Sequence, residues 1–205
     1  MRIKKFQKYI LYSVISLTAL IRIFHNYNWR LWGSDSGEYL YLTRYLMERG
    51  NMLNEDYIGW GRAYPDFQGM QILTGSLSLL TNIEYHYILM WFIPFVSALS
   101  IPMLFIIGKK IAGFVPALFG ASFYGVTFGV VYANSHPMPG GLAETLGLVF
   151  LYSWIKCLES EKFFELNILK GCTHPWRRIL IFSFLGLLIT HHFTLLLMCA
   201  AIVGI

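Results

Sequence analysis

The chain has 205 residues, of which 56% are hydrophobic, 17% aromatic and only 13% charged, with a formal net charge of +5. Soluble domains contain about 25% charged residues, so this composition excludes an ordinary soluble domain and indicates an integral membrane protein. The positive charge does not predict a nucleic-acid partner, because the lysines and arginines follow a membrane topology instead.

Several apolar stretches are long enough to cross a bilayer as helices, which takes about 17–25 residues. They are roughly residues 9–24, 87–107, 113–133, 141–158 and 179–201. The first has no small-residue cleavage site after it, so we interpret it as an uncleaved transmembrane helix and not a signal peptide. The run 68–80 is shorter and rich in Gly, Ser and Thr, which favours a surface helix. The sequence therefore predicts an all-α, polytopic transmembrane helix bundle of about five spans.

Sidedness follows from the basic residues. With a cytoplasmic N-terminus, most of them face the cytoplasm, as the positive-inside rule requires. These are Arg2, Lys4, Lys5, Lys8, Lys109, Lys110, Lys156, Lys162, Lys170, Arg177 and Arg178. We expect a multi-pass protein of the cell membrane, with the lipid bilayer as its partner. The last residues are still apolar, so residues 1–205 are expected to form one transmembrane domain of a longer module.

The external loop, about residues 25–86, is long, acidic and rich in aromatic residues. Long loops are either functional or disordered, and the aromatic content favours a folded loop with amphipathic helices. Residues 36–49 predict a helix that ends at Gly50. Ser34 or Asp35 can cap its start, and Glu38 follows Asp35 by three residues, which is the spacing of a capping box.

Asp35 and Glu38 are also the candidate catalytic residues. One interpretation is structural, since the capping box alone accounts for both. The other is chemical: Asp35 binds a divalent cation, Mg²⁺ or Mn²⁺, or acts as a general base. The two are compatible, because a helix N-terminus is also a place where charged ligands are held.

The second outer turn, residues 134–141, is rich in Pro and Gly and predicts a rigid, exposed turn. Pro139 is expected to open the next helix, with Glu144 in its first turns. The simplest interpretation is a turn followed by a Glu144 that the helix dipole stabilises. The alternative places His136 or Glu144 near Asp35 as a substrate contact, with His136 as a second metal ligand.

Further candidates lie in the last span and in the external loop. His191 and His192 fall at membrane depth, where ionisable residues face a polar interior or hydrogen-bond a neighbouring helix. Arg62 and Tyr64 are candidate contacts to a phosphate or a sugar, although Arg62 could equally be a solvated loop residue. Arg22, near the outer end of the first span, is expected to snorkel towards headgroups or to hold a lipid phosphate.

The order of these segments resembles a known family. Gly33-Ser34-Asp35-Ser36 follows the first span, then an amphipathic segment ending at Gly50, then Arg62-Ala63-Tyr64-Pro65-Asp66. This order is similar to the N-terminal part of GT-C fold glycosyltransferases, notably the oligosaccharyltransferase catalytic subunit and the O-mannosyltransferases. The resemblance implies a polyprenyl-phosphate-linked sugar donor, an acceptor at the outer membrane face, and Asp35 as metal ligand or acceptor-activating acid.

Two other functions stay open. A transporter or ion pathway would use the intramembrane His191 and His192 together with Glu144, although no internal repeat of the kind transporters show is evident. A non-catalytic remnant would explain a chain that stops within an apolar run. The resemblance leaves the sugar, the acceptor and the metal unidentified.

Overall fold

The computed structural model describes residues 2–24, 33, 35–50, 68–159 and 175–203. Within these ranges the chain is helical apart from short connections, and no described residue lies in a β-strand. The all-α prediction is therefore confirmed. The helices are α1 (Arg2–Phe24), α2 (Ser36–Arg49), α3 (Gly69–Thr81), α4 (Tyr85–Ala112), α5 (Phe114–Val126), α6 (Phe128–Ser135), α7 (Pro139–Leu158), α8 (Pro175–Thr190) and α9 (His192–Val203).

Two of the described helices, α4 and α7, are long and apolar enough to cross a membrane. A third crossing is formed if α5 and α6, which meet at a bend of 60°, are taken as one broken span. These helices indicate a membrane protein, as the composition does. The sequence-based number of five crossings stays a prediction.

Helix α7 lies at the centre of the described bundle, where it packs along α8 and also contacts α4, α6 and α9. Helices α2 and α3 join this core. Buried side chains from α2, α3, α4 and α7 form one apolar cluster: Tyr39, Met70, Leu89, Ile93 and Leu142. Burying apolar surface contributes about 25 cal/mol per Å², so α2 and α3 are held against the bundle by the same force that packs its interior.

Helix α2 begins and ends where the sequence predicts, but its start is not built as expected. Gly50 adopts a left-handed conformation (φ 71°) and its N–H donates to the Leu46 carbonyl oxygen at 2.8 Å. Asp35 occupies the N-cap position without a side-chain capping hydrogen bond. Its backbone (φ −101°, ψ 0°) is not in the extended region from which a cap side chain reaches the helix N–H groups. The prediction that the Asp35 side chain caps α2 is therefore wrong, and the alternative cap, Ser34, lies outside the described residues.

Three apolar helices are interrupted at residues that explain the break. In α4 a π-helical turn, Ile88–Phe92, precedes Pro94, whose missing N–H removes one bond of the helical ladder. Between α5 and α6 the chain is extended at Thr127 (φ −62°, ψ 125°). Between α8 and α9 the break falls at His191, inside a stretch that the sequence predicts to be one span.

One end of the bundle is basic. Lys110, at the end of α4, forms an ion pair with Glu159, and Lys156 approaches the same carboxylate at 3.1 Å. The Tyr152 ring meets the Trp176 ring edge-on at 5.5 Å, which brings the start of α8 to this end of α7. Pro139, where α7 begins, therefore lies at the opposite end, together with the turn that follows α6.

Candidate functional site

Arg22, in the last turn of α1, is completely buried, with 0% of its surface exposed. Its Nη1 donates to Ser97 Oγ in α4 at 3.2 Å. The Ser97 hydroxyl lies within hydrogen-bond distance of the Pro94 carbonyl oxygen (2.7 Å) and the Asn134 carbonyl oxygen (3.0 Å). The expectation that Arg22 snorkels to the headgroups is wrong, because its side chain turns into the bundle and bonds to a helix that is distant in sequence.

Glu144, in the second turn of α7, is held by two neutral donors. Asn134 Nδ2 donates to Glu144 Oε2 at 2.8 Å, and the Tyr124 hydroxyl donates to Oε1 at short range. The interpretation of Glu144 as stabilised by the helix dipole alone is therefore incomplete, since α5 and α6 both supply a hydrogen-bond donor to it.

The two charges of this end act on each other without contact. Glu144 lies close enough to Arg22 to influence it electrostatically, yet no ion pair joins them among the described salt bridges. Ser97 and Asn134 stand between them and bond to one charge each. We call Arg22, Ser97, Tyr124, Asn134 and Glu144 the polar cluster. It links α1, α4, α5, α6 and α7 inside the described bundle.

Gly141 allows the polar cluster to form. A Cβ atom built at this position would lie 2.9 Å from Asn134 Oδ1 and 3.1 Å from Ser97 Cβ. The first distance is shorter than real Cβ atoms show, and the second is tighter than nine in ten real Cβ contacts. The absence of a side chain at Gly141 thus lets the start of α7 reach α4 and α6, which brings Asn134 into bonding distance of Glu144, three residues further along α7.

The turn between α6 and α7 is buried, contrary to the exposed turn that its prolines and glycines predict. His136 is only 3% exposed, and its ring meets the Tyr132 ring edge-on at 5.0 Å. Gly33 lies directly on the other side: a Cβ atom there would be 2.7 Å from His136 Cδ2. Gly33 has a φ of +101°, which residues with a side chain rarely adopt. The burial comes from this contact between segments that are a hundred residues apart in the sequence.

Asp35 follows Gly33 by two residues and is partly buried, as is Glu38 in the first turn of α2. The contact between Gly33 and His136 therefore brings the beginning of the acidic segment to the turn that leads into Glu144. The Asp35 side chain is not used to cap α2, so the purely structural explanation for this residue loses its main support.

His191 and His192 lie at a different junction, between α8, α9 and the start of α3. His191 Nδ1 accepts the Thr194 backbone N–H at 3.3 Å and lies 2.9 Å from the Thr194 hydroxyl oxygen. An accepting Nδ1 assigns the remaining proton to Nε2 and makes His191 the N-terminal cap of α9. His192 is exposed. A Cβ atom at Gly69, the first residue of α3, would collide with Thr190, so α3 reaches this junction at close range.

Two sets of predicted site residues remain, the pair Arg62 and Tyr64 and the proposed metal ligands. Arg62 and Tyr64 lie outside the described residues. No three His, Cys, Asp or Glu side chains in the described ranges converge in a way that could hold a metal ion. The proposed ligand pair, Asp35 and His136, therefore stays a prediction.

The residues that sequence reasoning missed are the neutral members of the polar cluster, Ser97, Tyr124 and Asn134. Of the cluster's helical contacts, only that of Arg22 could have been anticipated from the sequence, because an arginine in an apolar span is costly and requires an internal partner.

No family model matches this sequence, and no curated protein matches it either. The function must therefore be argued from the chemistry of the site.

Proposed function

We propose that this chain is a GT-C type membrane glycosyltransferase, or part of one, that transfers a sugar from a polyprenyl-phosphate-linked donor to an acceptor at the membrane surface. The observation that carries the proposal is the contact between Gly33 and His136. Through it, the beginning of the segment that leads to Asp35 and Glu38 lies against the buried turn whose following helix holds Glu144, at the end of the bundle where Arg22 is buried. Carboxylates beside a buried cation suit a reaction in which a phosphate leaves.

The proposed topology has five crossings: α1, α4, the broken span α5–α6, α7 and the pair α8–α9. Lys110, Lys156 and Glu159 lie at one end, and we assign this basic end to the cytoplasm with the N-terminus, following the positive-inside rule. The polar cluster and Asp35 then belong to the outer half. This arrangement suits a lipid-borne donor, which would enter from the bilayer beside the acidic segment.

Asp35 is the proposed catalytic residue, with two roles open to it. As ligand of a Mg²⁺ or Mn²⁺ ion, assisted by His136, it would hold a Lewis acid where the leaving phosphate gains negative charge. As a general base it would accept the proton of the attacking hydroxyl. Glu38 is the second carboxylate of the segment. The sugar would contact Arg62 or Tyr64 of the external loop, and the two histidines of the α8–α9 junction are further candidate contacts.

Replacement of Asp35 tests this proposal. Membranes containing the full chain are incubated with a panel of short-chain polyprenyl-phosphate monosaccharides, and the release of polyprenyl phosphate is measured by mass spectrometry. We expect Asp35→Ala to lower release by about 10²–10⁴-fold, the usual contribution of a general acid or base. Glu48→Ala is the matched control, since Glu48 is on the same helix and its carboxylate only pairs with the exposed Arg44. Equal release by a correctly inserted Asp35→Ala chain would refute the catalytic assignment.

A metal titration separates the two roles of Asp35. Removing divalent ions with a chelator should abolish release if Asp35 binds the ion, and Mn²⁺ or Mg²⁺ should restore it. Release that is insensitive to the chelator but is still lost in Asp35→Ala would favour the general base instead. The Glu48→Ala chain should respond as the wild type does in either case.

A second candidate, an ion pathway, is favoured by one observation: the apolar helices are broken at Thr127 and at His191, and transporters often place their sites at broken helices. A proton-flux assay in liposomes distinguishes it. Flux that depends on His191 or Glu144, with no release of polyprenyl phosphate, would favour the pathway over the transferase.

A further inference from the structure

Arg22 has hydrogen-bonding capacity that no described residue uses. Nη1 donates to Ser97 Oγ, whereas Nε and Nη2 are buried without a hydrogen-bond partner in the described part of the chain. An arginine stays charged at any ordinary pH, and leaving a buried charged donor unsatisfied costs more than leaving a neutral one. A purely structural role for Arg22 therefore does not explain why these donors face the interior.

The geometry of the two unused nitrogens indicates what they would bind. Nε and Nη2 lie on the same edge of the planar guanidinium, so their N–H bonds point in parallel. A parallel pair of donors matches two oxygens of a carboxylate or a phosphate and forms two parallel hydrogen bonds with them. We call this pair, Nε and Nη2, the fork. The nitrogen already engaged with Ser97 belongs to the other edge, so this bond fixes the plane of the guanidinium without obstructing the fork.

The electrostatic surroundings favour an anion with a single charge. The start of α7 lies against Ser97, since a Cβ atom at Gly141 would be 3.1 Å from Ser97 Cβ, and a helix N-terminus carries partial positive charge. Glu144 does not use the fork, because its oxygens accept from Tyr124 and Asn134. Its charge nevertheless repels additional negative charge in a region of low dielectric. One cation with one carboxylate nearby therefore suits a monoanion better than a dianion.

We propose that Arg22 binds a phosphodiester with one negative charge, the group that joins a single sugar to its lipid carrier. This inference rests on the proposed function and makes it more specific, because it selects a monophosphate-linked donor over a diphosphate-linked one. Ser97 is the positioning residue that orients the guanidinium. The shared chemistry is that of a phosphodiester monoanion, which could arrive either on a lipid or free in solution.

Binding to the purified full chain in detergent tests the assignment with three probes. Methyl farnesyl phosphate carries both the diester and the lipid, dimethyl phosphate carries the diester alone, and farnesol carries the lipid alone. Affinities are measured by titration calorimetry. Arg22→Lys keeps the charge that faces Glu144 but loses the fork, so we expect about ten- to a hundredfold weaker binding of methyl farnesyl phosphate. The exposed Arg44 provides the matched control Arg44→Gln, which should bind as the wild type does.

Ser97→Ala is the second variant, and it leaves Arg22 in place. We expect it to weaken binding of methyl farnesyl phosphate about three- to tenfold, the range for one ordinary hydrogen bond. Thermal melting of each variant without a probe confirms that it is folded. If Arg22→Lys binds methyl farnesyl phosphate as tightly as the wild type, or if farnesol binds as tightly as the ester, the proposed site is refuted.

The remaining outcomes identify the source of the phosphodiester and separate this inference from the enzyme proposal. Dimethyl phosphate that binds as tightly as methyl farnesyl phosphate, and does so through Arg22, would overturn the lipid source. Farnesyl diphosphate that binds more tightly than methyl farnesyl phosphate would overturn the preference for a monoanion. Binding that depends on Arg22, in a chain that transfers no sugar, would count against the transferase but keep the site.

Discussion

Two adjacent glycines at the start of α7, Gly140 and Gly141, provide a sharp test of the polar cluster. Each glycine is replaced by alanine. From the sequence alone, the two substitutions would be expected to have the same effect, because the glycines are neighbours in one helix. The structure separates them. Around Gly140 a Cβ atom meets nothing within 4 Å, whereas at Gly141 it would lie 2.9 Å from Asn134 Oδ1 and 3.1 Å from Ser97 Cβ. Asn134 and Ser97 are both buried and held by hydrogen bonds, so a movement of either residue would weaken these bonds.

The expected magnitudes follow from these contacts. Overpacking a buried site costs about 1–3 kcal/mol, and a displaced Asn134 weakens its bond to the Glu144 carboxylate as well. Alanine regains up to about 1 kcal/mol of helix propensity at either position. We therefore expect Gly141→Ala to destabilise the protein by about 2 kcal/mol and Gly140→Ala to be neutral or slightly stabilising. In thermal melts of a chain this size, Gly141→Ala should lower the Tm by about 4–8 °C.

The assay is thermal unfolding of the purified full chain in detergent, followed by tryptophan fluorescence, with both variants in the same buffer. Binding of methyl farnesyl phosphate supplies a second measurement, because a displaced Ser97 also disturbs the orientation of Arg22. Gly141→Ala that melts at or above the wild-type temperature would show that α7 does not approach Ser97 and Asn134 as closely as the structure has it.

Three further substitutions examine the neighbouring contacts. Gly33→Ala should cost about 1–3 kcal/mol, because alanine disfavours a φ of +101° and its Cβ atom would meet the His136 ring; a Tm equal to that of the wild type would contradict this contact. Tyr124→Phe removes one donor to Glu144 and should destabilise by about 1.5–3 kcal/mol, the range for hydrogen bonds to charged groups, as measured by thermal melting. His191→Ala removes the cap of α9 and should cost about 0.5–2 kcal/mol, with faster amide hydrogen exchange at Thr194 as its specific readout.

The parts of the fold that the sequence predicts are those set by local chemistry. The α2 helix ends at Gly50 because only glycine adopts its left-handed conformation without strain. Pro139 begins α7 because its fixed φ suits the first helical position. The apolar runs predict helices for the same reason, since lipid leaves the backbone no other way to pair its own polar groups. In each case a few adjacent residues contain the whole explanation.

The polar cluster could not be predicted in this way, because its bonds join residues far apart in the sequence. Arg22 and Ser97 are 75 positions apart, and Ser97 and Asn134 are 37 apart. Serine and asparagine occur in membrane helices in many roles, so neither residue indicates a partner on its own. The same reason explains why the turn that contains His136 was wrongly predicted to be exposed. Its Pro- and Gly-rich surroundings predict an exposed turn, and only the tertiary contact with Gly33 buries it.

The separation of Arg22 from Glu144 is the feature that distinguishes a site from a structural ion pair. If stability alone required these charges, direct contact would be the better arrangement, because a buried pair is compensated only with close geometry and complete hydrogen bonding. Here neutral groups donate a hydrogen bond to each oxygen of the carboxylate, whereas the guanidinium keeps one edge unbonded among the described residues. An anion bound at that edge would complete the hydrogen bonds of the Arg22 guanidinium, and the bundle would then be more stable with its ligand than without it. Arg22 therefore links two properties that can be measured independently, the stability of the bundle and its affinity for a phosphodiester.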